Sequence, residues 1–174
     1  MKNDILTAME ERRSVRKYKD CPVEEEKLDA ILRAGSFAPT GRNLQSPIMV
    51  VIRDAATREQ LTRMNAEIMG TPEVDPFYGA PVIVIVLADR SVPTYIEDGS
   101  LVMGNLMNAA YAVGVDSCWI HRARQEFESD EGKALLRKWG IEGDYVGIGH
   151  CILGYRDCEY PTTRPRKENY IYKV

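Results

Sequence analysis

Val82-Ile83-Val84-Ile85-Val86-Leu87 is an unbroken apolar run, preceded by a loop rich in Gly and Pro from Gly70 to Pro81. A strand with one wet face alternates apolar and polar residues; a continuous run of β-branched side chains marks a strand covered on both faces. This segment therefore belongs at the centre of a sheet with a layer of structure on each side. Three further stretches read as strands around it: Ile48 to Ile52, Val115 to Ile120 and Tyr145 to Leu153.

Between the strands the period changes to that of helices. Thr57 and Gln60 have capping-box spacing, and Leu61, Met64 and Ile68 continue it as an apolar stripe. Leu101, Leu106, Ala109, Ala110 and Val113 describe a long helix over 96–113, closed by Gly114, whose small side chains permit close packing, including against its own copy. A further helix spans 129–139. Ahead of the first strand, Asn3 or Asp4 caps a short helix in which Ile5, Leu6, Ala8 and Met9 suit one buried face. Glu24 to Ala34 forms a second, with Leu28, Ile31 and Leu32 on one side and a stop at Gly35. From Ser36 to Pro47 breakers forbid regular structure. The order predicts an α+β fold, an α/β/α arrangement of helices flanking a mixed central sheet. At 174 residues it predicts one domain over 1–174.

A net charge of −3 argues against general affinity for nucleic acid. The four cysteines, Cys21, Cys118, Cys151 and Cys158, include no C-x-x-C pair, and with two histidines they make no zinc set. Free thiols in a reducing compartment are the expectation. No N-terminal signal pattern and no apolar run of about 20 residues is present, so a cytoplasmic protein is expected.

One stretch concentrates charge: Arg12-Arg13-Ser14-Val15-Arg16-Lys17-Tyr18. Forked, permanently charged guanidinium groups beside a hydroxyl suit a dianionic phosphate, although a short basic run is as readily a solvated face. No glycine-rich phosphate loop occurs between a strand and a helix, so side chains would have to hold any phosphate. A second basic cluster, Arg164 to Lys167, lies in a tail (155–174) whose Tyr170 and Tyr172 make it too apolar to float free. That tail is expected to wrap over another surface, including that of a second subunit.

Taken in order, three groups of residues resemble the FMN-dependent nitroreductases. They are the basic stretch followed by Pro22-Val23; Ala38-Pro39-Thr40-Gly41-Arg42-Asn43-Leu44-Gln45-Ser46-Pro47 running into a strand; and Gly114-Val115-Asp116-Ser117-Cys118-Trp119-Ile120-His121 with the terminal Arg164-Pro165-Arg166-Lys167. The chain looks like a short member of that family. The resemblance implies a domain-swapped homodimer whose C-terminal extension reaches the partner, with two FMN sites built from both chains. By position, Arg12, Ser14 and Arg16 would hold the phosphate and ribityl chain with Arg13 beside them, and Arg164 and Arg166 would close that end. Thr40, Asn43 and Gln45 would reach the ring system from the partner. Ile120 and the backbone N–H groups of His121 and Arg122 would face flavin N5.

The resemblance further implies an oxidoreductase that takes hydride from NADH or NADPH and passes electrons to nitroaromatic, quinone or similar electron-poor acceptors by a ping-pong mechanism. No protein group is assigned as catalytic acid or base. Where longer relatives carry an Asn and a Lys, this chain has Asp75-Pro76-Phe77-Tyr78. Asp75 is expected either to accept from flavin N3–H or to signal a flavin-binding protein without turnover, a redox sensor or store. Tyr78 and Phe77 are candidates to stack on a planar substrate. A cofactor-free α/β binding domain is the third reading.

Overall fold

The computed structural model describes residues 3–174. The elements are α1 (Asp4–Glu11), α2 (Glu25–Ser36), β1 (Pro47–Ile52), α3 (Ala55–Met69), β2 (Val82–Asp89), α4 (Tyr95–Ala112), β3 (Asp116–Ile120), α5 (Ala123–Glu128), α6 (Asp130–Lys138) and β4 (Tyr145–Gly154), with a 3-10 turn at Gly41–Asn43. The four strands form one sheet in the order β1-β2-β4-β3. Every neighbouring pair is antiparallel. This corrects the expected mixed sheet: each strand returns beside one that runs the other way, and among the described residues the only parallel pairing is an isolated bridge from Ser14 to Ser117.

β2 is central, as its apolar run requires. Its alternate residues serve two cores. Ile83, Ile85 and Leu87 pack with Leu61 and Met64 of α3, Phe127 of α5 and Leu135 and Leu136 of α6. Val82, Val84 and Val86 pack with Leu28 and Ile31 of α2 and Val102, Met103 and Leu106 of α4. Burying branched side chains on both faces, at about 25 cal/mol per Å² of apolar surface, is the main force joining the three layers.

Four local readings change. α2 runs through Gly35, because a Cβ there would lie 2.8 Å from Leu106 Cδ2 and 3.0 Å from Met49 Sδ; this glycine lets helix, helix and strand approach, and does not end the helix. The cap of α3 is Asp54, which accepts from the Thr57 N–H at 2.8 Å. Gln60 donates to Glu131 at 2.7 Å and plays no capping role. α5 was invisible to periodicity because it spans only six residues. In α1 Ala8 alone is buried, while Ile5 and Met9 are 67% and 57% exposed; among the described residues this apolar face is largely uncovered.

β4 bends where its register with β2 shifts between Val86 and Leu87. On either side of that shift stand Gly147 and Gly149. A Cβ on Gly147 would lie 2.1 Å from the Ala123 carbonyl oxygen, and one on Gly149 2.5 Å from Trp119 Nε1. Glycine at these places lets the first turn of α5 lie directly on the sheet, which sets the geometry of the β3–α5 junction.

Candidate functional site

The basic stretch is fastened to the free edge of β3. Val15, fully buried, donates its N–H to the Ser117 carbonyl at 3.1 Å. Tyr18, also buried, donates its hydroxyl to the Val15 carbonyl at 2.9 Å. With these two side chains turned inward, Arg16 faces solvent while Ser14 and Arg12 are half-buried.

The three arginines then divide. The Arg13 guanidinium donates to the carbonyls of Glu10 and Arg12 at 2.8 and 2.5 Å, closing the C-terminal end of α1. Among the described residues neither Arg12 nor Arg16 has a carboxylate within ion-pair distance. Both lie near Cys118: burial pushes that thiol up, while a hydrogen bond with Ser14 and the charges of Arg16 and Arg12 oppose the shift.

Arg16, Cys118, Trp119, Ile120, His121 and Arg122 line a cavity whose other wall is Met69, Val74, Pro76 and Tyr78. Its volume is about 170 Å³, below the roughly 300 Å³ at which small-molecule pockets begin. Where β3 passes into α5, along this cavity, Arg122 holds a left-handed backbone with φ 78°. Among the described residues the N–H groups of His121 and Arg122 meet no protein acceptor, and two free amides side by side are donors for a ligand atom.

The loop residues lie elsewhere. Thr40, Asn43 and Gln45 line a second cavity of about 560 Å³ with Phe37, Met49 and Val102. Arg42, Asn43 and Gln45 all have positive φ, between 51° and 56°, a costly conformation for non-glycine residues. What holds the loop is Asp98 of α4, 1% exposed, which accepts from the Gly41 N–H at 2.8 Å, Ser46 Oγ at 2.8 Å and Thr94 Oγ1 at 3.2 Å. Sequence reasoning passed over Asp98; its trace was a pair of acids, Glu97 and Asp98, in the first turn of an otherwise apolar helix. The two cavities share no residue. Within one chain, therefore, the basic stretch and the Thr40–Gln45 loop do not complete a common site.

The termini meet only in part. Tyr18 bridges to Arg156, Lys17 pairs with Asp157 at 3.0 Å, and Tyr160 Oη accepts from the Arg13 N–H at 2.9 Å. Arg164 and Arg166 lie beyond this seam and are exposed, and among the described residues no ion pair ties them to the basic stretch.

Asp75 is engaged in its own loop. Its carboxylate accepts from the N–H groups of Phe77 at 2.8 Å and Gly79 at 2.6 Å, so both oxygens serve its own turn. Phe77 is core, 1% exposed, while Tyr78, with φ 55°, is held at the rim of the smaller cavity. Beneath the β3–α5 junction lies a group the sequence reading did not find: Asn65, Glu126 and His150, each 0% exposed.

The donor set suits FMN: guanidinium groups and a serine for a phosphate dianion, an apolar wall for a planar ring, and backbone amides along the cavity for a ring nitrogen or carbonyl.

The sequence profile of the Nitroreductase family matches residues 9–155. A protein of Methanothermobacter thermautotrophicus, whose name pairs NADH dehydrogenase with NAD(P)H nitroreductase, is 32% identical over 94% of this chain and 82% of its own length. An NADH dehydrogenase of Thermus thermophilus is 40% identical over 86% of this chain and 67% of its own. The crystal structure of a nitroreductase with bound FMN from Bacteroides fragilis superposes with a TM-score of 0.90 at 25% identity, covering 99% of this chain and 100% of that one. The chain is thus of the flavin oxidoreductase class. It belongs to the Nitroreductase family.

Proposed function

We propose that the chain is one subunit of a homodimeric FMN-dependent oxidoreductase that accepts hydride from NADH or NADPH and reduces nitroaromatic, quinone or similar electron-poor acceptors. The observation that carries this reading is Arg16 on the wall of a pocket also lined by His121 and Arg122, with Arg12 close by at Cys118, neither arginine having a carboxylate partner among the described residues. Forked, permanently charged donors beside a cavity suit a phosphate dianion. Bound FMN would supply the redox chemistry itself, taking hydride from the nicotinamide and releasing electrons to the acceptor.

The protein's part is to bind, orient and shield. Arg12, Arg16 and Ser14 would hold the phosphate, and the amides of His121 and Arg122 would fix the ring's inner edge. Thr40, Asn43 and Gln45 of a second copy would supply the missing wall, and Arg164 and Arg166 would close the phosphate end from an extended tail. The small size of the Arg16–Tyr78 cavity favours a wall from a second copy. So do the uncovered apolar side chains of α1, together with Phe37 at 73%, Leu44 at 53% and Ile171 at 76% exposure. No residue of this chain is required to give or take a proton in the hydride step.

The test is direct. Purified protein should be yellow, sediment as a dimer, and lose its flavin absorbance rapidly on mixing with NADH or NADPH without air. A colourless protein that takes up no added FMN would refute the reading; a yellow one indifferent to both nicotinamides would refute the enzymatic part.

A further inference from the structure

Asn65 on α3, Glu126 on α5 and His150 on β4 come together in the middle of the core on the α3–α5–α6 side of the sheet. Glu126 Oε2 and His150 Nε2 are 2.9 Å apart, and Asn65 Nδ2 donates to Glu126 Oε1. Phe77 stands edge-on to the His150 ring at 5.1 Å, with Phe127 at 6.5 Å. Among the described residues the buried His150 Nδ1 has no partner. A carboxyl, an amide and an imidazole enclosed by aromatic rings are costly to desolvate, and apolar side chains of the same size would fill the space at no loss.

The network has one outlet. Asn65 Nδ2 also donates to the His121 carbonyl at 2.8 Å, and Asn65 Oδ1 accepts from Arg122 Nη1 at 3.3 Å. Asn65 thus ties the backbone of one junction residue and the side chain of the next to a carboxylate that is itself pinned by His150. Arg122 is the residue in the left-handed conformation, and its carbonyl accepts from the Glu126 N–H at 3.0 Å, closing the first turn of α5. Without the clamp, that turn rests on an unfavourable dihedral at a non-glycine residue.

We propose that Asn65, held by the Glu126–His150 pair, is a positioning residue: it sets the angle at which the His121 and Arg122 amides enter the cofactor pocket. It touches neither cofactor nor substrate. The proposal rests on the flavin reading above and adds to it a buried support that determines how well the bound ring is placed for hydride transfer.

The experiment compares wild-type and Asn65→Ala holoprotein. Misplacement by a fraction of an ångström slows a positioned reaction without abolishing binding. Bleaching of bound FMN at saturating NADH should therefore slow by about tenfold or more, with the KM for NADH changing by about twofold or less. In the flavin-free protein, amide exchange should quicken at Glu126, whose N–H reports the Arg122 bond, and stay unchanged in β1. Wild-type bleaching and wild-type exchange at Glu126 in a folded variant would overturn the assignment, as would faster exchange spread evenly over the chain. Asn65→Ser, smaller but still polar, gives the same comparison if the alanine variant does not fold. Exchange at Glu126 is read on protein without cofactor, so a wild-type protein that proves colourless and takes up no added FMN refutes the flavin reading and leaves the Asn65 test to stand on its own.

Discussion

Replacing both Arg12 and Arg16 by alanine should release FMN from a protein that remains folded. A charge-assisted hydrogen bond contributes about 1.5–3 kcal/mol, so two such contacts to one phosphate contribute about 3–6 kcal/mol at most. Arg16 is exposed and Arg12 only half-buried, and solvent screening draws the sum toward the lower end. About 3 kcal/mol corresponds to a Kd for FMN raised roughly 100-fold. Stability should hold within about 0.5 kcal/mol, because neither side chain takes part in an ion pair among the described residues and surface changes of that kind are nearly neutral. Arg13→Ala is the built-in contrast: its guanidinium holds the Glu10 and Arg12 carbonyls, so it should lower the urea midpoint and leave the FMN affinity within about threefold, less than 1 kcal/mol. Fluorescence titration of flavin-free protein with FMN, paired with urea unfolding, measures both quantities. Stoichiometric flavin retained by the double variant, or an equal loss of affinity in Arg13→Ala, would refute the division of labour among the three arginines.

Asp98→Ala removes the acceptor shared by the Gly41 N–H and Ser46 Oγ. One buried and one half-buried donor left unpaired cost about 2–4 kcal/mol, and urea unfolding should show that loss together with weaker FMN binding. Gly147→Ala drives a methyl to 2.1 Å from the Ala123 carbonyl oxygen; overpacking of this kind costs about 1–3 kcal/mol, and a thermal midpoint equal to wild type would contradict the packing of α5 on β4. For the thiols, burial pushes Cys118 up and Cys151 up to about 12. An aromatic disulfide reagent at about pH 8, just below the ordinary thiol range, should label exposed Cys158 first and leave Cys118 and Cys151 untouched until the chain unfolds. In the unfolded chain both ionise near the ordinary value of about 8.5. The stability their protonated burial contributes is therefore fully present below that pH and falls as the pH rises toward the folded values, and the urea midpoint should fall with it.

Much of the architecture was legible in the residues. A continuous branched run can only be a strand covered on both faces, and β2 proved to be that strand. Leu28 and Ile31, like Leu61 and Met64, lie at helical spacing and point into the core. The direction of the strands was not legible, because side-chain period says which face a residue takes and nothing about which way its neighbour runs. Gly35 misled for a related reason: a glycine near a helix end reads as a stop, whereas here its missing side chain makes room for Leu106 and Met49.

The candidate site divides in the same way. Arg12, Ser14, Arg16 and the loop from Thr40 to Gln45 announce themselves through local concentration of charge, hydroxyls and amides, and such chemistry survives as a one-dimensional pattern. Which of the three arginines stays free depends on where the α1 carbonyls end; what clamps the loop depends on Asp98, 57 positions beyond Gly41. The Asn65–Glu126–His150 group draws on three elements whose contacts span 24 to 61 positions. Sequence by itself determined the layers, the central strand and the kind of ligand chemistry on offer, since these follow from what each segment must hide from water. Only the tertiary structure decided which polar groups are already paired inside the chain and which remain free, since that is a matter of distances between segments that no local pattern contains.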